Sequence, residues 1–330
     1  MNSENAPILR PARTTTGRDP APPRPILARL ILFAMRALST LPLGALQAIG
    51  AALGGITAWL PARPRRVTDI NLRMAFRGAA DAQRARLART SLVQSGRAML
   101  ELAAVWFHPV DRVLASIVET TGESCFSDAA AEGRGVLVAT MHLGSWELGQ
   151  LHMGRRYNSV TMYRAPRIRE LSAKLNAART RAGGTMVELN LTGARGAIRH
   201  IERGGVVVFA ADQDPGIGAG IFSRFFGVLT NTTTLFARLV QRTGARVVIG
   251  WSERLPHGRG FRLHFRAAGP AVYAKDLAAA TDALNAELEA AIRTLPEQYL
   301  WSYKRFRIRP PGHAKHIYKT KDAFDQAFNS

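Results

Sequence analysis

A histidine and a glutamate five positions apart, His142 and Glu147, stand where an apolar run gives way to a small-residue break. Residues 136–141 read VLVATM, apolar with one threonine, which is the pattern of a buried strand. Gly144 and Ser145 interrupt it, and Trp146, Glu147 and Leu148 open what reads as the first turn of a helix. His142 is therefore expected at a strand's carboxyl end, with Glu147 coming back toward it from the helix start. Ligands of open α/β sheets bind outside that edge. An imidazole with a carboxylate to hold its tautomer and support the imidazolium is equipped as a general base. Taken alone, the two residues are better read as a strand-capping histidine and a helix-initiating glutamate with no chemistry.

The elements that must position this pair are legible as alternating runs. Residues 81–107 carry helical spacing, with Leu87, Leu92, Met99, Leu102 and Trp106 expected in the core. Residues 112–121 are expected as a strand. Beyond the histidine, strands are expected at 159–163, 185–189, 206–211, 246–251 and 261–267, and helices at 168–181, 193–203, 233–242 and 282–295. That rhythm predicts an α/β sandwich with a largely parallel sheet.

Upstream, residues 1–25 are rich in Pro, Thr and Arg and read as a disordered basic tail. Residues 26–61 form an apolar segment in which no charge occurs from 37 to 60, long enough to span a bilayer if helical. Pro42 and the glycines at 44, 50, 54 and 55 weaken a helix there, and Gly50-x-x-x-Gly54 permits a close helix contact. The run is too long and starts too late for a signal peptide. Basic residues flank both ends and do not choose an orientation, so a membrane helix or hairpin is expected in a spanning, re-entrant or cytoplasmic interfacial placement, with a buried core hairpin as the alternative. Residues 62–310 make up the α/β domain with its preceding helices, and 311–330 a basic tail.

The formal net charge is +21, from 45 Lys plus Arg against 24 Asp plus Glu, which favours anionic partners. The single cysteine, Cys125, excludes an internal disulfide and an all-cysteine metal site. Gly216-x-Gly218 lacks the third glycine of a dinucleotide fingerprint, since Ile221 stands there. Asp212-x-Asp214 starts like a calcium loop but has Ser223 at the twelfth position. No phosphate-binding P-loop and no G-x-S-x-G occur. The remaining histidines form no ligand-spaced cluster, so neither metal nor cofactor is expected.

His142-Leu-Gly-Ser-Trp-Glu147 resembles the H-x4-D/E box of glycerolipid-type acyltransferases, in the form used by the bacterial late acyltransferases of lipid A. Further blocks resemble the same family in order: Asn71-Leu72 with Phe76, Tyr163-Arg164, Asp212-Gln213-Asp214-x-Gly216, Phe225-Phe226-Gly227 with Thr230, and Pro296, Tyr299, Trp301, Arg305-Phe306, Arg309-Pro310. The resemblance covers roughly residues 30–310. It departs at Met141 and Ser145, where the family commonly has asparagine.

The resemblance implies an acyltransferase without cofactor. His142 takes the proton of an acceptor hydroxyl, Glu147 orients the histidine, and Arg164 holds the oxyanion or an acceptor phosphate. Asp212, Gln213, Arg179 and Trp146 are the expected substrate contacts. The implied donor is an acyl-carrier-protein thioester and the implied acceptor an anionic lipid A precursor, at the cytoplasmic face of a bacterial inner membrane. The same fold acting on another glycolipid, a phospholipid or an aminolipid is the alternative. A non-enzymatic membrane-attached protein binding anionic lipid or nucleic acid also fits the charge, but leaves the histidine box without a purpose; no nucleic acid is expected.

Overall fold

Proline and glycine placement cuts the apolar N-terminus into separate helices. The computed structural model describes residues 25–164, 169–313 and 316–319. Helix α1 (Pro25–Leu38) stops before Pro42, and α2 (Leu43–Trp59) and α3 (Arg63–Ala75) follow. Proline lacks the N–H a helix interior needs but suits a first turn, where Pro64 sits. Helix α4 (Asp81–Phe107) starts with the Ala80 N–H donating to Gln83 Oε1 at 3.2 Å.

Helix α2 lies against α4 at backbone contact. A Cβ on Gly54 would come within 2.3 Å of Leu92 O, and one on Gly50 within 2.5 Å of Gly96 O. The four-residue glycine spacing thus marks a helix contact inside the protein. Gln47 of α2 donates to Glu101 of α4 at 2.7 Å, and Glu101 is paired in turn with buried Arg254. No single described helix is long and apolar enough to cross a membrane; α2 and α3 pass by length and composition only as a pair bent by 76°.

Helices and strands then alternate: α5 (Val110–Leu114), β1 (Ile117–Thr121), α6 (Ser124–Ala131), β2 (Val136–Gly144), α7 (Trp146–Tyr157), β3 (Val160–Tyr163), α8 (Ser172–Thr180), β4 (Thr185–Glu188), α9 (Leu191–Glu202), β5 (Val206–Ala210), β6 (Gly220–Phe225), β7 (Val228–Thr233), α10 (Leu235–Thr243), β8 (Arg246–Arg254), β9 (Phe261–Ala267) and α11 (Leu277–Thr294). Seven strands form one sheet in the order β1-β9-β8-β2-β5-β3-β4, with every neighbouring pair parallel except β8 and β9. Strands β6 and β7 make a separate antiparallel hairpin.

Alternation along β2 divides the core. Leu137, Ala139 and Met141 join Leu72, Phe209, Ile249, Leu288 and Trp301 on one face, while Val136 and Val138 join Phe126, Met153, Val208, Leu263 and Phe265 on the other. Blocks far apart in sequence meet on the first face. The Phe76 ring packs tilted against Phe226 at 5.3 Å and edge-on to Trp301 at 5.6 Å, and Asn71 Nδ2 donates to Trp301 O and Tyr303 O at 2.6 Å.

Four expectations change. Residues 112–121 hold the end of a short helix before the strand, and the β6–β7 hairpin occupies a stretch where no strand was expected. Met99 is 41% exposed, so it is not a core contact. Ile317 and Tyr318 are buried and the Tyr318 hydroxyl bonds Asn71, so these two residues of the expected tail belong to the core. The expected tail at 1–24, and residues 320–330 of the C-terminal one, lie outside the described residues.

Candidate active site

Strand register creates the central contact. Strands β2 and β5 are parallel and paired from Val136↔Val206 to Thr140↔Ala210. Two residues further along each chain, His142 and Asp212 stand side by side. The His142 backbone N–H donates to Asp212 Oδ2 at 3.0 Å, and the ring Nδ1 lies 3.0 Å from Oδ1 and 3.2 Å from Oδ2. An ionised carboxylate only accepts, so the Nδ1 proton is directed at Asp212 and Nε2 carries the lone pair. The Gln213 side-chain amide donates to that lone pair at 3.1 Å. Trp146 flanks the imidazole, with ring centroids 5.2 Å apart.

Burial disfavours the imidazolium, but the charge of Asp212 and its hydrogen bond, with a further contribution from Glu147, outweigh that penalty and hold His142 above its ordinary pKa. Burial likewise raises Asp212, yet the His142 charge and hydrogen bonds leave it below the ordinary carboxylate value. The backbone behind the ring is fixed as well. The Leu300 N–H donates to His142 O at 3.0 Å, and Gly144 turns the chain at φ +62° with Ser252 O where its Cβ would be.

Glu147 does not hold the ring, contrary to the expectation from its spacing. The turn at Gly144 carries α7 so that the Glu147 carboxylate meets Arg179 of α8, with Nε at 2.9 Å, and Trp106 Nε1 of α4 at 3.3 Å. Glu147 is 5% exposed, and its charge keeps Arg179 above the usual guanidinium pKa although burial opposes this. Asp212, expected as a substrate contact, is the residue that fixes the imidazole. Trp106 is a partner of Glu147 rather than a plain core residue. Arg164 is exposed, its guanidinium donating to Pro215 O at 3.0 Å and Asp214 O at 3.4 Å.

A cavity of about 480 Å³ opens at this edge. His142, Trp146, Glu147, Arg164, Arg179 and Gln213 line it, so six of the seven expected site residues face one space, with Asp212 behind the histidine. Its deeper walls are apolar. Among the described residues no group of three or more His, Cys, Asp or Glu is placed to hold a metal ion. The signal for Asp212 was present as an offset: an apolar run of five or six residues precedes both His142 and Asp212. Only strand adjacency turns it into a contact.

A carboxylate–imidazole pair beside a cavity lined by both polar and apolar side chains, at the carboxyl edge of a parallel sheet, has the composition of a general-base site. The family model for bacterial lipid A biosynthesis acyltransferases matches residues 20–308, and the chain belongs to that family; it is an acyltransferase. The chain is similar to the lipid A biosynthesis lauroyltransferase of Escherichia coli K12, 28% identical over 274 residues, 82% of this chain and 88% of the relative. It is also similar to the palmitoleoyltransferase of the same organism, 29% identical with 83% and 89% covered, and to its myristoyltransferase, 25% identical with 90% and 91% covered.

Proposed function

We propose that this acyltransferase moves a fatty acyl chain from an acyl-carrier-protein thioester to a hydroxyl of a lipid A precursor. The observation that carries the reading is the Asp212–His142 pair, which leaves Nε2 as the only basic ring nitrogen and turns it to the cavity. The acceptor hydroxyl replaces the Gln213 amide at Nε2 and gives its proton to that nitrogen as its oxygen attacks the thioester carbonyl. Asp212 stabilises the imidazolium formed. The tetrahedral intermediate collapses with loss of the thiolate, which takes the proton back from His142. Gln213, once displaced, and Arg164 at the mouth are the donors available to the oxyanion.

The net charge of +21 supports two anionic substrates, a carrier protein and a phosphorylated lipid. Exposed apolar side chains support a site at a membrane surface: Ile26, Leu30 and Phe33 on α1, and Leu53, Ile56 and Trp59 on α2. We place the protein at the cytoplasmic face of a bacterial inner membrane, lying in the interface by these helices. The relatives are named for lauroyl, palmitoleoyl and myristoyl transfer at similar identity, so overall similarity does not select the chain length handled here.

The test is transfer by the purified protein from an acyl-carrier-protein thioester to a lipid A precursor, followed by mass spectrometry. His142→Ala is expected to lower the rate about 10²–10⁴-fold. Near-normal turnover in that variant removes the mechanism.

A further inference from the structure

We infer that Gly250 limits the length of the acyl chain this protein accepts, an inference that rests on the acyltransferase reading above. The cavity does not end at the histidine. Along β2, Val138, Thr140 and His142 share one face, and all three line it. It therefore runs from Nε2 back along the strand beneath α7, over four residues or about 13 Å at ~3.3 Å per residue. Met153 of α7 and Phe265 of β9 line its deep part.

Midway along this run β8 contributes no side chain. Gly250 pairs with Thr140 on one side and Phe265 on the other, and it lines the cavity. Its φ lies outside the left-handed region, so the backbone does not require glycine there. A glycine inside a strand weakens it, and often marks a place where a ligand passes close to the backbone. A Cβ at this position would sit 3.1 Å from Val138 Cγ1 and 3.2 Å from two carbons of the Phe265 ring. One added methyl thus crowds these side chains, and the Phe265 ring has to shift into the cavity to admit it. The methyl and the displaced ring lie between the levels of Thr140 and Val138, about 7–13 Å from His142 along the strand at ~3.3 Å per residue, in the path of a long chain whose carbonyl is at the histidine. Long donors lose contacts or are excluded, and short donors are unaffected.

The experiment offers the full-length protein an equimolar series of saturated acyl thioesters differing by two carbons, with products read by mass spectrometry. Gly250→Ala is expected to move the preference to shorter donors, changing the kcat/KM ratio between neighbouring lengths by about tenfold or more, because each methylene in an apolar pocket is worth about 10–200-fold. Val138→Ala removes the nearest atom and is expected to shift the preference to longer donors. The double variant Gly250→Ala with Val138→Ala is expected to return toward the wild-type profile. Equal losses for all lengths in Gly250→Ala, or an unchanged profile in Val138→Ala, overturn the inference. Should Gly250→Ala be insoluble, the Val138→Ala profile alone decides it. Wild-type protein that transfers no acyl group at all would instead sink the underlying reading.

Discussion

Replacing Asp212 by asparagine isolates the contact on which the proposed mechanism rests. The substitution keeps the shape but removes the charge lying 3.0 Å from Nδ1 of His142. A hydrogen bond to a charged group contributes about 1.5–3 kcal/mol, and at about 1.36 kcal/mol per tenfold in rate its loss slows the chemical step about 10- to 150-fold. The pH profile carries a sharper signature. A base works as the neutral imidazole, so wild-type kcat/KM rises with pH through a pKa held above 6.5. Without the Asp212 charge, burial becomes the dominant influence on the ring, and the acid limb of the profile moves down in pH. The deficit of the variant is therefore smallest in acid and largest on the alkaline plateau. Stability follows the same pair. The raised His142 contributes stability that is complete below its unfolded value of 6.5 and lost as pH rises through its folded value. The lowered Asp212 contributes above 3.8, and that is lost as pH falls through its folded value. The assay is initial transfer rate against pH for wild type and variant, with a denaturation midpoint at each pH. An acid limb that stays in place or moves up, or one that moves further in Glu147→Gln, refutes the assignment of Asp212 as the partner of the histidine.

Other outcomes follow from the same contacts. Glu147→Gln should destabilise by about 3 kcal/mol, the lower end for a broken buried ion pair because Arg179 keeps 19% exposure. The added change Arg179→Met should recover part of that loss in urea unfolding, and a less stable double variant would contradict the pairing. Gly144→Ala, at φ +62° and with Ser252 O 1.5 Å from the new Cβ, should cost more than the roughly 1–2 kcal/mol of a left-handed alanine, seen as a lowered Tm. Phe33→Glu with Trp59→Glu alters two side chains that are each 74% exposed and should leave the fold intact. Vesicle flotation should fall at least about tenfold, since each large apolar side chain contributes about 1.5–3 kcal/mol when buried; unchanged flotation would place the membrane contact elsewhere.

Much of the molecule follows from local pattern. The sequence by itself determined the α/β alternation, because apolar runs of strand length, broken by glycine and polar residues, leave few other arrangements. It determined the 81–107 helix and the 261–267 strand to the residue, and it placed His142 near the carboxyl edge of the sheet. The Gly50–Gly54 spacing announced a close helix contact without naming its partner. What remained hidden depends on pairs distant in the chain. Glu147 was expected at the histidine because five residues separate them, yet the φ of Gly144 directs its carboxylate to Arg179 and Trp106. Asp212, 70 residues from His142, becomes its partner only because β5 is placed beside β2 in register. Helical periodicity likewise put Met99 in the core, whereas the packing of α4 leaves it exposed. A one-dimensional pattern records which residues are apolar and where strands end; strand order and the handedness of a single turn decide which of those ends meet.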